Sequence, residues 1–261
     1  MILELSELLS RAVEENLEDR VAIAFSAGLD STVIAAIAKK NCQVELFTAG
    51  LPESDDMKCA GQMAAEMGLK LTKVVIDEQC AIEAYKKCHK LLKLDFPQLD
   101  ILVPAYCAAE AASAKGHKVM LFGAAAEELF VGYQRYFDYR EKGLNLEKIL
   151  KDEYKNLPQR ELAWLKKICR SFDMDARFPF YNPELAKLMF SVPLEEKMHD
   201  GDLKKCVLRE AAKLLGVPEF VLKRKKKAMQ YGSGVHKLLL KNTAKLPQCC
   251  APKTDLPDHN E

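Results

Sequence analysis

Val21-Ala22-Ile23-Ala24-Phe25-Ser26-Ala27-Gly28-Leu29-Asp30-Ser31-Thr32 is the stretch on which the fold turns. An unbroken apolar run that stops at small turn residues reads as a strand buried on both faces. The strand, Val21 to Phe25, opens through the turn directly into a helix, read over Thr32 to Lys40. Such a junction aims free backbone N–H groups and the positive end of a helix dipole at one spot. A pyrophosphate suits that spot. Gly28 lets the backbone approach an anion closely, and Ser26, Ser31 and Thr32 offer hydroxyl donors. Asp30 would repel a bare anion, but it fits where a divalent cation bridges its carboxylate to the phosphates. The spacing is not that of a P-loop, because no Gly-Lys-Ser/Thr follows.

Outward from this junction, strands and helices alternate. Ile2 to Leu17 reads as an amphipathic helix. Gln43 to Thr48 and Lys70 to Ile76 read as strands, separated by a helix over Asp55 to Met67 that Gly68 closes. Glu78 to Leu94 reads as helical, with Pro97 ending the region, and Tyr106 to Lys115 as an Ala-rich helix ending at Gly116. Lys118 to Phe122 is the fourth strand, stopping at Gly123. The alternation predicts an α/β fold, a parallel sheet flanked by helices and joined by right-handed crossovers. Ligands of such sheets bind outside the carboxyl ends of the strands, where the turns after Phe25 and Phe122 both lie. From Leu129 the pattern turns mostly helical, over Leu144–Tyr154, Gln159–Phe172, Pro183–Phe190, Asp202–Leu215 and Pro218–Arg224. The expected organisation is one domain over 1–245, an α/β nucleotide-binding part (1–135) followed by a helical part (136–245), with a flexible tail over 246–261.

Composition narrows the function. A net charge of +1 gives no overall field for a polyanion or a membrane. Nine cysteines without one C-x-x-C give little support to zinc or iron–sulfur ligation, and most sit in apolar patterns as buried small hydrophobes, which suits a reducing cytoplasm. Cys88-His89 reads as a helix-surface accident, whereas Cys249-Cys250, in a Pro-bearing polar tail, admits a redox or sulfur-carrier role. Met1 to Ser10 lacks a basic leader and no apolar run approaches membrane-spanning length. The expectation is a soluble cytoplasmic protein.

A second constellation is Gly123-Ala124-Ala125-Ala126-Glu127-Glu128-Leu129-Phe130-Val131-Gly132-Tyr133. Two carboxylates follow a strand end by a few small residues. Glu127 or Glu128 could partner Asp30 around a magnesium ion, although acids are also favoured at any helix start.

Ser26-Ala27-Gly28-Leu29-Asp30-Ser31 resembles the Ser-Gly-Gly-Leu-Asp-Ser loop of the ATP pyrophosphatase superfamily, with Ala27 in place of one Gly. The second constellation is similar to the Ser-Gly-Glu-Gly-Ala-Asp-Glu-Leu-Phe-Gly-Gly-Tyr element of asparagine synthetases, Glu127 standing where the family has a metal-binding Asp. Asp175-Ala176-Arg177-Phe178-Pro179-Phe180-Tyr181-Asn182 resembles the family's Arg-Val-Pro-Phe-Leu-Asp segment. Gly201 to Arg209 resembles its Lys-x-x-Leu-Arg helix, and Arg224 to Gly232 its Arg-x-Lys segment. The resemblance covers roughly residues 15 to 235. It implies ATP with its phosphates on Ser26, Ala27, Gly28, Leu29, Asp30 and Ser31, with Thr32 and Gly123 beside them. Adenine would lie near Gln43 to Thr48, Mg²⁺ on Asp30 and Glu127, and Lys226 at the phosphates and reaction centre. Read blandly, Lys223 to Lys227 is a solvated basic run or a tRNA-backbone patch; the reading preferred here has Lys226 buried and the rest exposed.

Departures bear on the substrate. The family's catalytic Glu between two glycines is Ala124, and a methyl group can neither move a proton nor accept a hydrogen bond. Asp100 stands where an arginine for the substrate carboxylate is expected. The family's glutaminase domain begins at a cysteine after Met1; here Ile2 follows and the loop arrives by residue 26. The nucleophile is then expected from free ammonia, another amine or a separate glutaminase subunit, with a small-molecule acid as the other substrate and a homo-oligomer compatible with the chain. Two further readings stand beside this ligase: a tRNA-modifying relative that adenylates a base for sulfur insertion, and a non-catalytic adenine-nucleotide binder. The charge balance argues against nucleic acid.

Overall fold

The apolar run ahead of the loop becomes the central strand. The computed structural model describes residues 1–198, 203–224 and 232–247. Within them, β1 (Arg20–Ala24) lies between β2 (Gln43–Gly50) and β4 (Val119–Leu121), with β3 (Lys70–Val75) and β5 (Asp175–Arg177) at the edges. All the pairings are parallel. Val21, Ala22 and Ile23 are wholly buried, because helices cover both faces of the sheet. The chain winds outward from β1 to β3 and then crosses back to β4 on the other side of β1. Strand order therefore reverses between β1 and β4, and a crevice opens outside their carboxyl ends.

The helices of the first half are α1 (Ile2–Glu14), α2 (Leu29–Ala38), α3 (Asp55–Met67), α4 (Glu78–Leu92) and α5 (Phe96–Ala114). The Ser54 side chain caps α3, and Gly68, at φ +64°, closes it in the left-handed conformation that glycine tolerates best. Beyond β4 come α6 (Ala126–Phe130), α7 (Gln134–Glu141), α8 (Leu146–Asn156), α9 (Glu161–Arg170), α10 (Pro183–Ser191), α11 (Leu194–Lys197), α12 (Cys206–Leu214), α13 (Glu219–Lys223) and α14 (Val235–Lys241). One cluster of buried apolar side chains runs from Leu5 in α1 to Leu246. A small second cluster joins Val131, Tyr136, Leu146, Leu150 and Met198.

Four sequence expectations need correction. Pro97 opens a helix rather than ending one: it lies in the first turn of α5, where a missing N–H costs nothing. Pro104 sits inside the same helix, which starts well before Tyr106. The segment at Asp175–Arg177 is an edge strand, extending the sheet to five. Cys88 is fully buried on α4, not a surface residue, and its neighbour His89 turns its Nδ1 to the Leu94 carbonyl at 3.3 Å. No group of three His, Cys, Asp or Glu side chains among the described residues is arranged to hold a metal ion. No helix among them is long and apolar enough to cross a membrane.

The opposite, amino-terminal end of the sheet is held by one buried carboxylate. Glu45 on β2 accepts from Thr72 Oγ1 and Lys115 Nζ, both at 2.7 Å, and meets His117 Nε2 and Lys70 Nζ at 3.3 Å and Arg20 at 3.4 Å. Its neighbours thus come from β1, β3 and the approach to β4. Burial alone would raise the Glu45 pKa, but the donors from Lys115, Thr72, His117 and Lys70 outweigh it and hold the carboxyl well below the usual range.

Candidate active site

The junction after β1 is tighter than its sequence suggests. Helix α2 begins at Leu29, with Gly28 extended at the N-cap, so the N–H groups of Leu29, Asp30 and Ser31 form the first helical turn at the crevice. Ala27 takes φ +52°, the left-handed region where its family counterpart is glycine. A non-glycine residue there costs about 1–2 kcal/mol. Thr32 is fully buried; its hydroxyl donates to the Gly28 carbonyl at 2.8 Å, and Ser31 Oγ donates to the same carbonyl at 3.2 Å. Both hydroxyls brace the turn. Ser26 Oγ accepts from Gly28 N–H at 3.4 Å.

The strain at Ala27 has a counterweight. Arg224, just beyond α13, donates from Nη1 to the carbonyls of Ser26 and Ala27, each at 2.9 Å, and its Nη2 meets Asp56 at 3.2 Å. In a trans peptide the C=O and N–H point opposite ways. Turning these two carbonyls onto Arg224 therefore turns the N–H groups of Ala27 and Gly28 away from it. Arg209 on α12 braces the arrangement by donating to the carbonyls of Lys204, Val221, Leu222 and Arg224. Arg224→Gln is expected to speed hydrogen exchange of the amides of residues 26–28 by about tenfold or more, the worth of a charged hydrogen bond. Strand β1 should keep its protection. Equal acceleration of both would mean general loosening instead.

Asp30 and Glu127 come together from the two strand ends, and Lys205 stands between them. Its Nζ lies 2.7 and 2.6 Å from the two Asp30 oxygens and 2.8 Å from Glu127 Oε1. Lys205 is 4% exposed and precedes α12 with φ +62°. Burial pulls its pKa below the ordinary lysine value, against the pull of Asp30. Two glycines make this packing possible. A Cβ on Gly123 would lie 2.8 Å from Asp30 Cβ, and one on Gly132 would lie 1.8 Å from Glu127 Oε2 and 2.3 Å from Lys205 Cε. Behind Glu127, burial first and then the charge of Glu161 push the Glu128 carboxyl up to about 7.

The cleft over this cluster is lined by Ser26, Gly28, Leu29 and Asp30, with Asp56, Lys204, Lys205, Arg209 and Arg224 facing them. Four cations and two carboxylates give it a net positive field. Thr48, 3% exposed, lines a small adjoining hollow with Phe25, Phe47, Pro104 and Ala108, and that hollow shares Ser26 and Asp56 with the cleft. Ala124 is half-buried after β4. Asp100 does not join the cleft: it is buried on α5 and paired with His236 of α14. Burial raises its pKa to about 6 against the pull of His236. Lys226, Cys249 and Cys250 lie outside the described residues.

Sequence reasoning missed Lys205, Arg224, Arg209 and Asp56. Lys205 was legible only as the first residue of the Lys-x-x-Leu-Arg match, inside an expected helix over Asp202–Leu215; α12 in fact begins one residue later. Arg224 was grouped with an exposed basic run, yet its side chain is 16% exposed and directed into the loop.

A family model for asparagine synthase matches residues 4–168 and 149–247. The chain belongs to the asparagine synthase family. It is 32% identical, over 91% of its length, to a putative glutamine-hydrolysing asparagine synthetase of Methanocaldococcus jannaschii, of which the match covers 51%. It is 26% identical, over 88% of its length, to asparagine synthetase B of Escherichia coli, of which the match covers 45%. The chain thus spans about half the length of these curated relatives. Among solved structures, the NMN synthetase of Francisella tularensis aligns over 88% of this chain and 75% of its own, at 14% identity and a TM-score of 0.45.

Proposed function

We propose that the chain is an ATP-dependent ligase that releases AMP and pyrophosphate, activating a small carboxylic acid and joining it to ammonia or an amine. The observation that carries this reading is the meeting of Asp30 and Glu127 at the β1–β4 switch point, beneath a helix N-terminus and among Lys204, Lys205, Arg209 and Arg224. A triphosphate needs such donors and positive charge; two carboxylates in the same place make sense for a polyanion that carries its own metal ion. The residues fit Mg²⁺. The protein offers two hard carboxylate ligands, and Mg²⁺ is commonly completed by phosphate oxygens and water. When bound there, Mg²⁺ would neutralise charge developing on the phosphates.

In the proposed reaction the substrate carboxylate oxygen bonds to the α-phosphorus of ATP, and the bond from that phosphorus to the bridging oxygen breaks. The electron pair leaves on pyrophosphate. The N–H groups of the first turn of α2, together with the Ala27 N–H oriented through the Arg224 contacts, would hold the phosphates in line. Lys205, released from its seat, and Lys226 would meet charge on the leaving group. The nitrogen nucleophile then adds to the acyl carbon of the acyl-adenylate, loses a proton and expels AMP. Ala124 supplies no carboxylate and Asp100 is committed to His236, so the acid substrate would be held by other side chains than in asparagine formation. A separate glutaminase subunit is one possible source of ammonia.

The experiment is product identification with ATP, panels of small acids and ammonia. AMP with pyrophosphate is the expected pair; ADP with orthophosphate contradicts the reading. Sulfur insertion into tRNA is the rival adenylation chemistry, motivated by the basic run and Cys249-Cys250. Retention of bulk tRNA on a filter at low salt, lost at higher salt, would favour it. A chain that binds ATP and turns over with no acid or tRNA would leave only the nucleotide binder.

A further inference from the structure

We infer that Lys205 is a built-in placeholder for the divalent cation, so that metal enters the Asp30–Glu127 seat only together with a polyphosphate. The inference rests on the nucleotide-site reading above and adds an order of binding to it. Three carboxylate oxygens converge on one point, and the Lys205 ammonium fills that point at 2.6 to 2.8 Å. A Mg²⁺ ion needs carboxylate oxygens at about 2.0–2.1 Å and would occupy the same volume. Ammonium and metal ion cannot share it, since two cations a few ångströms apart in a buried site repel strongly.

The lysine seat is constructed rather than incidental. Lys205 reaches it from a left-handed backbone position, which a lysine rarely adopts. Its stem packs across Gly132, where even a Cβ would overlap it. The same side chain borders the cleft that holds Ser26, Gly28 and Leu29. A four-carbon stem lets the ammonium pivot from the carboxylates into that cleft. What the pivot needs is a new anionic partner. Free metal ion brings none, so displacing the lysine would leave a buried ammonium unpaired. A metal–polyphosphate brings both: its metal takes the carboxylates and its phosphates take the lysine.

The test uses Mn²⁺ as the probe, followed by electron paramagnetic resonance. Wild-type chain is expected to bind little Mn²⁺ alone and at least tenfold more tightly with a non-hydrolysable ATP analogue. Lys205→Met is expected to bind Mn²⁺ without nucleotide at least tenfold more tightly than wild type, and Mn²⁺ should raise its melting temperature but not that of wild type. Lys205→Gln should behave the same way, and a variant that folds only when Mn²⁺ is added supports the inference equally. Equal Mn²⁺ affinity of wild type and both Lys205 variants overturns it. A wild-type chain that takes up neither the analogue nor Mn²⁺ with it sinks the nucleotide reading, while the response of the Lys205 variants still decides whether the lysine keeps a metal out.

Discussion

Asp30→Asn is expected to lower formation of AMP and pyrophosphate by about 1,000-fold or more, equivalent to ~4 kcal/mol of barrier. The substitution keeps the shape of the side chain and its close packing on Gly123, so the loop should keep its geometry. What it removes is the charge. A neutral amide is a poor partner for a divalent ion and leaves Lys205 with Glu127 as its charged partner on this side of the cleft. Turnover should fall far more than stability, although a lysine that is 4% exposed loses one of its two carboxylate partners, which costs about 3 kcal/mol and lowers the melting temperature by about 6–12 °C. Steady-state rates with the acid that supports product formation, alongside calorimetry, check it. Retention of a tenth or more of the rate would mean that Asp30 does not contribute its charge to the reaction.

Glu45→Gln is expected to lower the melting temperature at pH 7 by about 10 °C while the surviving folded fraction keeps its activity. Removing one partner of a buried charge cluster costs about 3–5 kcal/mol. The cations here are partly exposed, Lys115 by 38% and Lys70 by 66% of their side chains, which favours the lower figure. For a chain of this size ~3 kcal/mol corresponds to about 6–12 °C. The pH dependence has a definite sign. The native Glu45 carboxyl is depressed, so its contribution is complete above about pH 4.3, the unfolded value, and is lost as pH falls toward the native one. Burial depresses His117 as well, so its neutral ring begins to cost stability once pH drops below about 6.5. Wild type should therefore lose melting temperature in two stages on acidification. Glu45→Gln should lack the stage below about pH 4.3; parallel curves for the two proteins would contradict this account.

The parts of the fold legible in the sequence are those written in contiguous residues. The apolar run Val21–Phe25 marked the central strand, and the glycines after Phe122 and Met67 marked where elements stop. Pro97 misled because the same residue that breaks a helix interior is well tolerated in a first turn. The three-residue β5 is too short to carry a periodic signal. At the site, the two carboxylates were legible because each follows a strand end. Their lysine was not, because it joins Asp30 across 175 residues of sequence, and Arg224 reaches the Ser26 carbonyl across 198. The pairing of Asp100 was not legible for the same reason: its partner His236 is 136 residues away.

The most direct measurement is a crystal structure of the chain with Mg²⁺ and a non-hydrolysable ATP analogue. The account predicts phosphates against the N–H groups of Leu29, Asp30 and Ser31, the metal ion between Asp30 and Glu127, and the Lys205 ammonium moved onto the phosphates. Nucleotide bound away from this cleft, or bound in it with Lys205 still bridging the two carboxylates and the metal elsewhere, would contradict it.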